Sequence, residues 1–148
     1  MPTIENSAVI KRVLQTLIHV SSRKTTDSNA FITLNTLIIQ LKQKYDFLKN
    51  IEIKDIQYLE ESNPITVMSA MNSVPPAEIG KALTAIISTM NQSLGKNAGH
   101  FFFKEIQRNL EEEYSSAITD MGVDLNLLQL ESQVTQMEKD VTRMQKTI

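Results

Sequence analysis

The last 22 residues constrain the architecture of this chain more than any other segment. After Leu127 the apolar side chains recur in alternating steps of three and four residues. This set, the heptad seam, consists of Leu127, Leu130, Val134, Met137, Val141, Met144 and Ile148. A stripe this narrow is typical of a coiled coil rather than of a helix lying on a globular core. Because such a helix needs a partner, the C-terminus is predicted to be an association device.

The seam also indicates how two such helices would pair. With Leu127 at position a, the a positions are mostly β-branched and the d positions unbranched, which favours a parallel dimer. The flanking e and g positions offer no interhelical ion pair; they are Glu131, Gln133, Glu138, Asp140, Gln145 and Thr147. Three partners are therefore considered: a second copy of the chain, a helix on another protein, and the chain's own domain.

Residues 1–122 are predicted to form one globular, helix-rich domain, and residues 123–148 a C-terminal coiled-coil association helix. The apolar fraction of 41% and the charged fraction of 22% are those of a globular protein. The predicted fold class is α+β, dominated by helices. It comprises four or five helices with a small β hairpin or short strands, plus the coiled-coil helix.

Two helices are predicted near the N-terminus. The first is capped by Asn6 or Ser7 and runs to about Val20; the second is capped by Asp27 or Ser28. A period of 3.6 residues defines their core faces. These are Val9, Val13, Leu17 and Val20 in the first helix, and Ala30, Leu34, Leu37, Ile38, Leu41 and Tyr45 in the second.

Residues 47–72 allow two interpretations. Alternating apolar residues at Ile51 and Ile53, then at Ile56 and Tyr58, with a β-branched run at 65–67, predict a pair of hairpin-like strands. The alternative is a short helix over residues 51–61.

Further helices are predicted after Pro75, since consecutive prolines preset a first helical turn. Gly95 ends that helix, Asn97 caps the next, and Gly122 ends it after Met121. A short strand or an extended linker then precedes the seam. The run Phe101-Phe102-Phe103 requires either a helix buried on two sides or one exposed ring.

A turn between two of these helices is a candidate anion site. Glycines, a lysine and free amides at a helix start can hold a phosphate or a carboxylate. The candidate residues are Lys96, Asn97, Gly99 and His100. A plain helix–helix turn explains the same residues, and the spacing does not match a phosphate-binding P-loop.

The N-terminal region is mildly basic. Residues 1–50 hold seven Lys or Arg and three Asp or Glu, whereas residues 51–148 hold eight and fourteen. Such asymmetry fits a nucleic-acid surface on two helices, or simple attraction between the two halves. A pI of 5.7 is far below that of most nucleic-acid-binding domains.

The most strongly indicated function is that of a non-enzymatic, self-associating adaptor or assembly protein, with a parallel homodimer favoured over a helix from another protein. The alternatives are a dimeric nucleic-acid-binding regulator and an anionic-ligand sensor or enzyme with its site at residues 95–104. No catalytic, cofactor or metal site is predicted, because the chain has no cysteine and no catalytic motif. With no secretory signal and no spanning segment, a cytoplasmic location is expected.

Overall fold

A computed structural model describes residues 4–53 and 65–146 of the 148-residue chain. The described residues form six α-helices and one two-stranded antiparallel sheet. The elements are α1 (Asn6–Ser22), α2 (Asp27–Leu41), β1 (Ile51–Ile53), β2 (Ile65–Val67), α3 (Pro76–Leu94), α4 (Phe102–Asn109), α5 (Glu112–Asp120) and α6 (Leu125–Lys146). The predicted helix-dominated α+β class is confirmed.

Helix α1 is the centre of the fold and packs against α2, α3, α4, α5 and β2. Its predicted core face is buried. A second apolar row on the same helix, Ile10, Leu14 and Ile18, is buried as well. Two apolar rows allow neighbours on two sides, and this explains how so short a chain builds one continuous core.

The N-terminus of α1 is held by long-range hydrogen bonds rather than by the predicted cap. The side-chain amide of Asn6 is buried and donates to the carbonyl oxygens of Met71 and Val74, at 3.3 and 2.8 Å. In return, Oδ1 of Asn72 accepts from the backbone N–H of Ser7 at 2.9 Å. A side chain from a distant turn therefore satisfies a helix-start donor that local residues usually satisfy.

The residue that caps α2 lies one position before the first predicted cap, Asp27. The hydroxyl of Thr26 accepts from the backbone N–H of Asn29 at 3.1 Å, so neither Asp27 nor Ser28 is the capping residue. The helix ends at Leu41. Its predicted core residues from Ala30 to Leu41 are buried or half-buried, and the helix packs against α1 and α3. Tyr45 was predicted on the same face but lies after the end of the helix.

The predicted hairpin strands are confirmed at both ends of the ambiguous segment. Strands β1 and β2 pair antiparallel, with Ile51 opposite Val67 and Ile53 opposite Ile65. The alternative prediction, a short helix over residues 51–61, is therefore wrong for the residues of β1. The predicted strand positions Ile56 and Tyr58 lie outside the described residues.

Two helices replace the single helix predicted to run from Asn97 to Met121. Asn97 lies in a 3-10 turn, Gly95–Ala98, and α4 begins later. Extended backbone at Leu110, with ψ of 137°, then separates α4 from α5. The break allows both short helices to pack against α1. Gly122, at φ of 101°, ends the second one as predicted.

Helix α3 approaches the end of α5 at a glycine. A Cβ atom on Gly80 would lie 2.0 Å from the backbone oxygen of Met121. Because this contact is with backbone, a side chain there would force the two elements apart. The junction between α5 and α6 is thereby placed against α3.

Candidate self-association surface

Helix α6 is anchored to the domain by one of its faces, here called the docked face: Leu125, Leu128 and Gln129. Leu125 and Gln129 are buried and Leu128 is half-buried. Asp124 directly precedes the helix, and its Oδ1 accepts from the backbone N–H of Leu127 at 3.0 Å. The docked face packs on α4.

Gln129 makes the most specific contact of the docked face and is 3% exposed. Its Oε1 accepts from the backbone N–H of Lys104 at 3.3 Å, and its Nε2 donates to the carbonyl oxygen of His100. Lys104 belongs to the first turn of α4, where Phe101 precedes the helix without a capping side chain. The side chain of Gln129 therefore caps α4 from another helix and fixes α6 at the same time.

The open face of α6 carries the first four seam residues: Leu127, Leu130, Val134 and Met137. They are 49%, 57%, 46% and 66% exposed. Val141 and Met144 follow in the same heptad register on the helix, and Ile148 lies outside the described residues. Four large apolar side chains in one row on a solvent-facing helix form the kind of patch that marks an interaction site.

The two faces of α6 are compatible with simultaneous use. In the heptad that starts at Leu127, Leu128 and Gln129 occupy positions b and c, and Leu125 occupies f of the preceding heptad. These positions lie on the outside of a coiled coil, whereas the open face occupies a and d. A second helix can therefore pack on the open face while the docked face stays on α4.

The candidate anion site is only partly assembled. Lys96, Gly99 and His100 line a cleft of about 810 Å³ between α3, the Gly95–Ala98 turn and α6. Asn97 is exposed and does not line this cleft. Glu131 adds a carboxylate to the lining. A bound anion at the start of α4 would accept from the backbone N–H of Lys104, but this N–H already donates to Oε1 of Gln129.

Four of the seven basic residues of the N-terminal region make contacts with other residues that the structure describes. Arg12 pairs with Glu111, and Lys24 pairs with Glu105 at 2.8 Å. These two pairs join the basic half of the chain to the acidic half. Lys49 pairs with nearby Asp46, and Lys44 lies over the ring of Tyr45. Two of the basic residues are thus paired with acidic residues of the second half of the chain.

The phenylalanine run has one exposed member. Phe102 and Phe103 are buried, and their rings meet edge to face with centroids 5.6 Å apart. Phe101 is 53% exposed, with the Nζ of Lys104 at 5.9 Å from its ring centroid. Of the two predicted arrangements, the one with an exposed ring is observed.

The docked face was missed from the sequence. Leu125 and Leu128 are three residues apart and adjoin the seam, and the sequence pattern predicts the first as part of a strand or linker and the second as lying outside the seam. Their spacing is the available signal for a second face. Gln129 carries no sequence signal, because a glutamine that caps a distant helix cannot be distinguished from a solvent-exposed one.

In the part of the chain that the structure describes, no helix has the length and apolarity needed to cross a bilayer. No group of three His, Asp or Glu side chains within residues 4–53 and 65–146 could hold a metal ion. Comparison with protein-family models, curated proteins and solved structures finds no match.

Proposed function

We propose that this chain is a non-enzymatic, self-associating adaptor or assembly protein. Its open face packs against the open face of a second copy in a two-stranded coiled coil. One observation supports this above all: α6 is fixed to its domain by its outer positions, and the first four residues of its a and d positions are exposed. A cytoplasmic location belongs to the proposal, and a chain without cysteine fits it.

Because α6 is anchored to its domain, forming the coiled coil costs less conformational entropy than it would for a free helix. A free helix of 22 residues is marginal in water, because its first turn is unfavourable to form. Here Asp124 caps the helix and the docked face holds its first turns, so less order remains to be imposed on association. Each seam side chain contributes about 1.5–3 kcal/mol when fully buried.

A parallel arrangement is favoured over an antiparallel one. Valine at position a with unbranched residues at d is typical of parallel dimers. An antiparallel coil that packs Leu127 against the partner's Met144 would also set Glu131 beside the partner's Glu138, and like charges repel. In a parallel dimer the two domains lie at the same end of the coil, each on the outer side of its own helix.

The mass of the protein in solution tests self-association. Leu130→Gln with Val134→Gln removes two seam side chains, and glutamine keeps the helix propensity of these exposed positions. At low concentration we expect the wild type to sediment as a dimer and this variant as a monomer. Thr135→Gln, at an exposed position off the seam, is the matched control and should remain dimeric. Monomers in all three samples would refute the proposal.

Cysteine cross-linking tests the orientation, and the chain has no cysteine of its own. In a parallel coil the two Leu127→Cys thiols are neighbours and form a disulfide on oxidation. In the antiparallel coil they lie about 25 Å apart, beyond the roughly 7 Å between Cα atoms that a disulfide tolerates. A mixture of Leu127→Cys and Met144→Cys chains would then cross-link instead.

The two alternative functions stay predictions. The internal ion pairs of Arg12 and Lys24 weigh against a nucleic-acid surface, and the capping of α4 by Gln129 weighs against the anion site. Steeply salt-dependent binding of random duplex DNA would favour the regulator. Protection of the amides of residues 95–104 by inorganic phosphate would favour the sensor.

A further inference from the structure

Helix α2 also has an exposed row, here called the α2 stripe: Ile32, Thr36 and Ile39. The two isoleucines are 63% and 54% exposed. They are seven residues apart, so they lie on the same face of the helix, with Thr36 between them. The opposite face of α2 packs on α1 and α3.

Within the helix the surroundings of the α2 stripe carry no charge, and Lys42 and Lys44 follow the end of the helix. Residues 28–41 contain no Asp, Glu, Lys or Arg. The other exposed side chains of this helix are amides, namely Asn29, Asn35 and Gln40. An exposed helix normally carries charged residues on its solvent side, and depletion of charge is a property of interface cores.

We infer that the α2 stripe is a second self-association surface, occupied by the α2 stripe of another copy. In a contact with two-fold symmetry, a residue on the axis meets its own copy, and every other pair of contacting residues occurs twice. Amides and hydroxyls both donate and accept hydrogen bonds, so two identical rows of them satisfy one another. A nucleic acid would require cations on this face, and a charged protein partner would lose water from its charges without compensation.

The contact between two α2 stripes is weak. Helix α2 has 15 residues and is about 22 Å long. One exposed face of that length covers much less than the roughly 800 Å² per partner of a stable interface. The α2 stripe therefore acts between dimers that α6 has already formed, where each dimer presents two copies of it. This part of the inference rests on the proposed coiled coil; the pairing of α2 stripes does not.

Sedimentation of the full chain over a concentration series tests the inference. We expect two steps for the wild type: a dimer at low concentration, and larger species near the highest concentration attainable. Ile32→Gln with Ile39→Gln should keep the first step and lose the second. Both isoleucines are exposed, so the folded domain is retained, and circular dichroism checks this. Leu130→Gln with Val134→Gln should lose the tight first step and keep the weak α2-dependent association.

The outcomes separate this inference from the proposed function. If the α6 variant behaves as the wild type but the α2 variant loses the weak step, the coiled coil is refuted and the α2 contact stands. If the α2 variant forms the same large species as the wild type, the inference is overturned. It is also overturned if the wild type never exceeds a dimer. Loss of all association in both variants would indicate that the α2 stripe packs on the open face of α6, and this too would overturn it.

Discussion

Helices α1 and α6 carry similar sequence patterns in opposite environments. In α1 the apolar row repeats at steps of three and four residues and is fully covered by the domain. In α6 a row of the same spacing is about half exposed along its described length. The periodicity of a helix therefore predicts that an apolar face exists, but it does not identify what covers that face.

The difference between the two helices lies in the residues beside the row. Helix α1 has a second apolar row, Ile10, Leu14 and Ile18, so neighbours pack on two of its sides. In α6 the docked face has only two apolar residues and one amide near the start of the helix. The later turns of α6 are polar outside the seam. A second apolar row indicates a helix inside its own domain, and without one the first four seam residues of α6 stay exposed.

The largest expected effect comes from a matched pair of Leu→Ala substitutions, one in each helix. Leu17 is fully buried in α1, so Leu17→Ala should lower the free energy of unfolding by about 2–5 kcal/mol, through lost burial and a cavity. Leu130 is exposed in α6, so Leu130→Ala should change the free energy of unfolding of the monomer by less than about 0.5 kcal/mol. Urea titration at a concentration below that of dimer formation measures both.

The stability of the two variants should also be compared at a concentration at which the protein dimerises. There, Leu130→Ala should lower the apparent stability as well, because association stabilises only the folded chain. Equal losses for both variants at low concentration would mean that Leu130 is covered within the monomer. The comparison of the two helices would then fail.

A second prediction concerns the position of the junction before α6. In an open helix Gly80→Ala would stabilise by about 1 kcal/mol through propensity. Here the added Cβ meets the backbone oxygen of Met121, so we expect a net loss near the upper end of the roughly 1–3 kcal/mol that overpacking costs. Thermal unfolding measures the effect. An increase in stability would show that α3 and the end of α5 do not approach closely.

Much of the fold could be predicted from local signals. Pro76 at the start of α3 and Gly95 after its end act through their own backbone preferences, which depend little on distant residues. The short strands were predictable because β-branched residues alternate there. The break at Leu110 was not: an apolar spine continues through it, and the extended backbone serves the packing of α4 and α5 on α1.

The candidate surface was predictable to a different extent. The seam residues follow from spacing alone, and four of them are exposed in a single row. The cap on α1 from Asn72 and the cap on α4 from Gln129 could not be predicted. Both join residues far apart in sequence, and the pattern around a donor carries no information about an acceptor on another helix.

A third prediction tests whether the docked face holds α6 independently of the seam. Gln129→Ala leaves the N–H of Lys104 and the carbonyl of His100 without their partner, and we expect a loss of about 1–3 kcal/mol. The amide of Lys104 should exchange with deuterium faster. Gln133→Ala, a half-buried glutamine one turn later, is the control and should leave that exchange rate unchanged. An unaltered rate in Gln129→Ala would exclude the cap.

The smallest expected effect concerns the charges that join the two halves of the domain. Glu105→Gln removes the partly exposed pair with Lys24, so we expect a loss of only about 0.5 kcal/mol, as is usual for such pairs. Added salt should reduce this difference, because it screens the pair in the wild type. Glu131→Gln on α6 is the control and should leave the monomer's stability unchanged at any salt concentration. Urea titrations at low and high salt measure both variants. If the loss in the free energy of unfolding does not change with salt, Glu105 acts through packing rather than charge. The attraction between the basic and acidic halves would then contribute nothing measurable at this pair.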